Sequence, residues 1–149
     1  MIDGDELERS YKHHLSDYAE WEQRDHASNW MLIEDNLGEN LSIDETMLQE
    51  DLVTILSNKA GHCKQGSVIS IVRGTKAEDV IEVLMKIPEE ARLAVKEVTM
   101  DLSSSMRAIV STVFPNATIV LDCFHVLKRC HDAIEEVRLH LKRDAQVEL

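Results

Sequence analysis

Leu41-Ser42-Ile43-Asp44, Leu52-Val53-Thr54-Ile55-Leu56 and Ser67-Val68-Ile69-Ser70-Ile71-Val72 follow one another with no room for a helix between them. Each run is short and rich in β-branched or apolar residues, the composition of a strand. The second and third read as a hairpin joined by a loop around Gly61 to Gly66. Beyond Gly74 the period changes. Val80, Ile81, Leu84, Met85 and Ile87 form the apolar stripe of a helix, with Thr75 and Glu78 spaced as a capping box. Pro88 ends that helix or restarts it for a short turn over Glu89 to Leu93.

Further along, Val95 to Met100 reads as a fourth strand, and Ser103-Ser104-Ser105 caps a helix carrying Met106, Ile109, Val110 and Val113. Phe114-Pro115-Asn116 stops it. Ala117 to Leu121 is continuously apolar and reads as a buried fifth strand. From Phe124 the chain is helical. Upstream, Asp5 to Ile33 lacks Gly and Pro and reads as a helix with Leu15, Tyr18, Ala19 and Trp21 on one side; Trp30 to Ile33 form an apolar knot, and Asn36-Leu37-Gly38 breaks it. The order is strand, strand, strand, helix, strand, helix, strand, helix. This predicts an α/β fold with a mixed five-stranded sheet flanked by helices and preceded by an N-terminal helix. It is the element order of the ribonuclease H-like fold, whereas a doubly wound domain would place a helix after the first strand. The division expected is an N-terminal helical segment, residues 1–38, and a sheet-containing domain, residues 39–149.

At 149 residues, 44% hydrophobic and 30% charged, the chain is sized and composed for one globular domain. No apolar run approaches the ~20 residues of a membrane span, and the acidic start does not resemble a secretory signal. Three cysteines without a CxxC pair argue against a disulfide framework and for a reducing, cytoplasmic setting. The net charge of −12 is unevenly spread: residues up to Asp51 hold 15 acids against 3 Lys/Arg, and the rest holds 13 of each. The acidic third reads as a solvated face. Lys128, Arg129, Arg138, Lys142 and Arg143 gather near the end.

Asp44 and Asp101 each close a strand-like run. Aspartate often ends strands because it initiates turns. Two carboxylates on neighbouring strands, however, can also hold divalent cations about 3.5–4 Å apart, the arrangement used for in-line attack on a phosphodiester.

The sequence around them resembles the bacterial insertion-sequence DDE transposases. Leu41-Ser42-Ile43-Asp44-Glu45-Thr46 is similar to the first-aspartate motif of that family, as is the stretch from His26-Ala27-Ser28-Asn29-Trp30 to Asn36-Leu37-Gly38. Val98-Thr99-Met100-Asp101-Leu102-Ser103 is similar to the second-aspartate motif. Phe114-Pro115-Asn116-Ala117 and Asp122-Cys123-Phe124-His125-Val126 resemble the following D-x-F-H signature. The resemblance runs from about Tyr11 to Arg143. It implies a ribonuclease H-like catalytic domain for metal-dependent DNA strand cleavage and transfer in DNA transposition. Asp44 and Asp101 would bind Mg²⁺ or Mn²⁺, transposon-end DNA would be the partner, and the full-length protein would be a homo-oligomer. The family's third carboxylate, a Glu on a helix beyond an insertion, has no clear counterpart; Glu135, Glu136 and Glu148 are the late candidates. The zinc-binding and helix-turn-helix head is also missing, so the chain is expected to be a fragment truncated before the third carboxylate. The alternative is a non-catalytic, transposase-derived module contributing dimer or DNA contacts.

Asp122 and His125 are expected near the metal site because the fifth strand should neighbour the first and fourth. His125 would orient a carboxylate or phosphate; alternatively Asp122 caps the following helix and His125 packs on it. Glu45 is an extra ligand or, as favoured here, a solvated turn residue. Cys123, His125, Cys130 and His131 do not match the usual zinc-finger spacings. Trp21 and Trp30 are candidates for base stacking, though at this spacing such residues more often anchor a helix to a sheet.

Overall fold

The computed structural model describes residues 3–61 and 64–147. A six-stranded mixed sheet forms its centre, in the order β1-β4-β3-β2-β5-β6. The strands are β1 (Trp30–Leu32), β2 (Asn40–Leu48), β3 (Asp51–Asn58), β4 (Val68–Arg73), β5 (Glu97–Met100) and β6 (Thr118–Leu121). The helices are α1 (Gly4–Ser10), α2 (Ala77–Leu84), α3 (Glu89–Leu93), α4 (Ser104–Val113) and α5 (Cys123–Val147). Strands β1 to β4 pair antiparallel, and β5 and β6 add in parallel on the other side of β2. This mixed α/β architecture is consistent with the ribonuclease H-like fold.

Alternation along the strands decides which face is covered. Leu41 and Ile43 of β2, Leu56 of β3, Val72 of β4, and Val98 and Met100 of β5 point to one face and are buried. Val80, Val83 and Leu84 of α2 and Met106, Ile109, Val110 and Val113 of α4 pack onto them, together with Ile87, Val95 and Phe114. Side chains of this size contribute about 1.5–3 kcal/mol each on burial. Arg92 is also buried and donates to the Ile87 and Val113 carbonyls at 3.1 Å each, tying α3 to the end of α4. The intervening residues Ser42, Asp44, Ile55, Ile71 and Thr99 face the other side and remain at least partly exposed.

Several expectations are corrected. The sheet has six strands, not five, because Trp30–Leu32 pairs antiparallel with β4. Gln23 completes this edge: its side-chain carbonyl accepts from the Leu32 N–H at 2.8 Å. The long N-terminal helix is replaced by α1, a π turn over Tyr11–Leu15, a 3₁₀ turn over Tyr18–Glu20 and further turns. Its apolar residues form no continuous packed stripe among the described residues; Leu7, Tyr11 and Leu15 are all more than half exposed. The capping box does not form. Lys76 occupies the N-cap of α2 without a side-chain bond, and the Thr75 carbonyl instead accepts from Ser105 Oγ. β6 is an edge strand with no buried residue, so its apolar run is not a mark of central position. It pairs with β5 alone and not with β2, contrary to the expected neighbourhood of the fifth strand.

Candidate metal centre

The site begins where the parallel ladder between β2 and β5 stops. Asn40, Leu41 and Ser42 pair with Glu97, Val98 and Thr99. Two residues further along each strand, the same register brings Asp44 level with Asp101. On the far side of β5, Met100 pairs with Leu121, so Asp101 is in turn level with Asp122. Neighbouring strands lie about 4.8 Å apart. Three aspartates therefore form a row, Asp101 and Asp122 just past the carboxyl ends of β5 and β6, where open α/β sheets place their ligands, and Asp44 two residues past the last β2–β5 pair.

Each aspartate is fixed differently. Asp101 is the first residue past β5, and its Oδ1 accepts from the Ser103 N–H at 2.8 Å. Ser103 caps α4 by accepting from Met106, so Asp101 is tied to the start of a helix whose buried side chains anchor it to the sheet. Asp122 fills the gap between β6 and α5. Its N–H donates to the Met100 carbonyl at 2.8 Å and its Oδ1 accepts from Phe124 N–H at 2.9 Å. Asp44 does not end a strand as the sequence implied. β2 continues four residues past it, to Leu48, and Asp44 pairs with Ile55 of β3. Its carboxylate is exposed on the uncovered face, with Oδ1 accepting from the Glu45 N–H at 2.9 Å.

His125, in the first turn of α5, stands between two members of the row. Its Nε2 is 4.0 Å from Asp44 Oδ1 and 3.8 Å from Asp122 Oδ2. Its ring is edge-on to Phe124. Asp122 thus caps the start of α5 and also lies beside His125.

Glu45 is a strand residue, half-buried, rather than a solvated turn residue. Burial, reinforced by the negative charges of Asp101 and Asp44, holds its carboxyl above the usual carboxylate range. A third negative group thus lies within electrostatic reach of both aspartates, a role its position beside Asp44 in the sequence did not reveal.

The late carboxylates are not brought to the site. Glu135 is exposed on α5 and bonded to Arg138, which lowers its carboxyl below the usual range. It and exposed Glu136 lie ten and eleven residues past His125, about 15 Å along a helix rising 1.5 Å per residue. Glu148 lies outside the described residues. Among the described residues, no three His, Cys, Asp or Glu groups converge closely enough to enclose a metal ion, Cys123, His125, Cys130 and His131 included. The donors that do line up, Asp44 and Asp101, are hard carboxylate oxygens of the kind Mg²⁺ and Mn²⁺ prefer. They fit such an ion as an open site.

Trp30 is committed to the fold. Its ring stacks on His26 with centroids 3.6 Å apart, and Lys86 Nζ lies 5.3 Å from its centre. Trp21 is half-buried beside Tyr18. No helix among the described residues is long and apolar enough to cross a membrane.

The sequence model of the ISL3 family of DDE enzymes, whose description reads "Transposase", matches residues 41–148. The match spans both aspartate motifs and the D-x-F-H box. No curated protein matches the chain significantly.

Proposed function

Because the chain belongs to the DDE transposase family, its role lies in DNA transposition, and we propose that Asp44 and Asp101 are the carboxylates that support metal-dependent cleavage and transfer of transposon-end DNA. The observation that carries this reading is the register of β2 and β5, which sets Asp44 level with Asp101 just beyond their last paired residues. The extent of the family match, through both aspartate motifs, does not favour a non-catalytic module.

Mg²⁺ or Mn²⁺ held by Asp44 and Asp101 would supply activation of water or a 3′-hydroxyl and stabilisation of the leaving oxygen. The chain's own residues set the stage. The Asp101–Ser103 bond holds one carboxylate at the start of α4, and β2, paired on both sides up to Ser42, holds the other. His125 and Asp122 are positioning residues: the imidazole faces the Asp44 carboxylate, and Asp122 fixes the turn that presents it. Glu45 adds negative potential that favours a cation over an empty site. The exposed, open end of the sheet leaves room for a phosphodiester. The same reading takes residues 39–149 as the catalytic domain with residues 1–38 as a preceding segment, working in the cytoplasm within a homo-oligomeric full-length protein.

Calorimetric titration with Mn²⁺ tests this. Weak binding is expected, abolished by Asp44→Ala and by Asp101→Ala. Equal binding in either variant refutes the assignment.

A further inference from the structure

α5 is 25 residues long, yet only His125 and Val126 in its first turns are half-buried, and every residue described beyond them is exposed. Apart from Phe124 and Leu139, its large exposed apolar residues are not scattered. Cys123, Leu127, Cys130, Ile134, Val137 and Leu141 recur with alternating spacings of four and three, the heptad pattern of a coiled-coil seam. With Leu127, Ile134 and Leu141 at a positions, Cys123, Cys130 and Val137 fall at d. All six are exposed, Leu127, Ile134, Val137 and Leu141 by 55–66%. Single exposed apolar residues need no explanation, but a continuous stripe of them marks an interaction surface. Asp144, at the next d position, ends the stripe.

From this geometry we propose that α5 pairs with α5 of a second copy of the chain as a parallel, in-register coiled coil. The flanks favour this occupant. In a parallel pair each g position meets the following e position of the other helix. Here Val126 meets His131, Ala133 meets Arg138 and His140 meets Ala145, so no like charges are opposed and the seam extends apolar onto Val126 and Ala133. An antiparallel pair sets e against e, where Arg138 would approach His131. Cys130 at a d position would face its own copy across the seam, at a separation that suits a disulfide. Because α5 leaves the sheet at His125, a parallel pair sets both carboxylate sites at the same end of the coil. The pairing depends on none of the chemistry at those sites.

Light scattering coupled to size exclusion, over a concentration series of the whole chain, reads the mass directly. Wild type is expected to shift from monomer to dimer with rising concentration. Ile134→Asp and Leu141→Asp should each abolish the dimer with unchanged tryptophan fluorescence from the folded body. Asp132→Asn, on the outer side of α5, should leave it intact. In a Cys63→Ser, Cys123→Ser background, oxidised glutathione should give a covalent dimer through Cys130. A monomer at all concentrations, a dimer that survives Ile134→Asp, or a dimer without the Cys130 cross-link each overturns the proposal. Leu141→Asp guards against misfolding, because it lies far from the sheet.

Discussion

Ile43 and Asp44 are adjacent in β2 but point to opposite faces, so truncating each to alanine should have very different consequences. Ile43 is 1% exposed and sits opposite Leu56 in the layer under α2 and α4. Ile43→Ala removes three buried carbons, which at about 0.8 kcal/mol each accounts for about 2.4 kcal/mol. The cavity left in a core this closely packed raises the expected loss to about 3–4 kcal/mol. Asp44 makes only a local bond, to the N–H of the next residue, from an exposed position. Asp44→Ala should change stability by no more than about 0.5 kcal/mol. Urea titrations of the three proteins, with equal slopes, measure both numbers. A loss below about 1 kcal/mol for Ile43→Ala, or a loss for Asp44→Ala as large as that for Ile43→Ala, would refute the assignment of faces. The carboxylate would then not lie on the open side of the sheet.

Three further outcomes are expected. Glu45 has a raised carboxyl pKa in the folded state, so the native protein holds its proton more tightly than the unfolded chain and loses stability as pH rises through that elevated value. Glu45→Gln should therefore move the urea midpoint upward at pH 7 in the absence of divalent ions and leave it unchanged near pH 4; an equal gain at both pH values would show that charge is not the cause. His125→Ala should weaken Mn²⁺ binding about tenfold, the lower range for loss of a group that orients a ligand; unchanged affinity by calorimetry would make His125 a packing residue only. With no third metal-binding group converging among the described residues, the chain alone should cleave labelled transposon ends little or not at all in Mn²⁺, since a missing stabilisation of several kcal/mol lowers the rate by orders of magnitude. Robust cleavage that Asp101→Ala abolishes would mean that a carboxylate within the chain completes the site.

How far the sequence disclosed this structure depends on whether a feature is locally encoded. Asp101 was legible because strand, turn and cap lie in one stretch: Val98 to Met100 alternate, and Ser103 supplies a cap that any neighbouring helix would use. The hairpin of β3 and β4 was legible for the same reason. The true length of β2 was not. Its second half, Glu45 to Leu48, is held by pairing with Asp51 to Thr54 across a tight turn at Gln49-Glu50, and Gln49 adopts a positive φ of 56° without being Gly or Asn. No turn signal marks it. β1, three residues long, is too short to show a period, and partners supplied by β4 and Gln23 define it. The N-terminal stretch failed in the opposite sense. It lacks helix breakers, but helices gain most of their stability from a packed face, and among the described residues Leu7, Tyr11 and Leu15 stay more than half exposed. At the site, the aspartates themselves were visible in the sequence. Their common level, the reach of His125 to Asp44 and the half-burial of Glu45 come from register between segments tens of residues apart, which local pattern does not carry.

Paramagnetic broadening of backbone amide resonances by substoichiometric Mn²⁺ locates a bound ion without reference to activity. If Asp44 and Asp101 hold the metal, the amides of Glu45, Leu102 and Ser103 should broaden first, those of Trp30 and Arg73 at the far edge of the sheet should stay sharp, and Asp101→Ala should remove the effect. Broadening centred elsewhere, or unchanged by Asp101→Ala, would contradict a metal centre where the β2–β5 ladder stops.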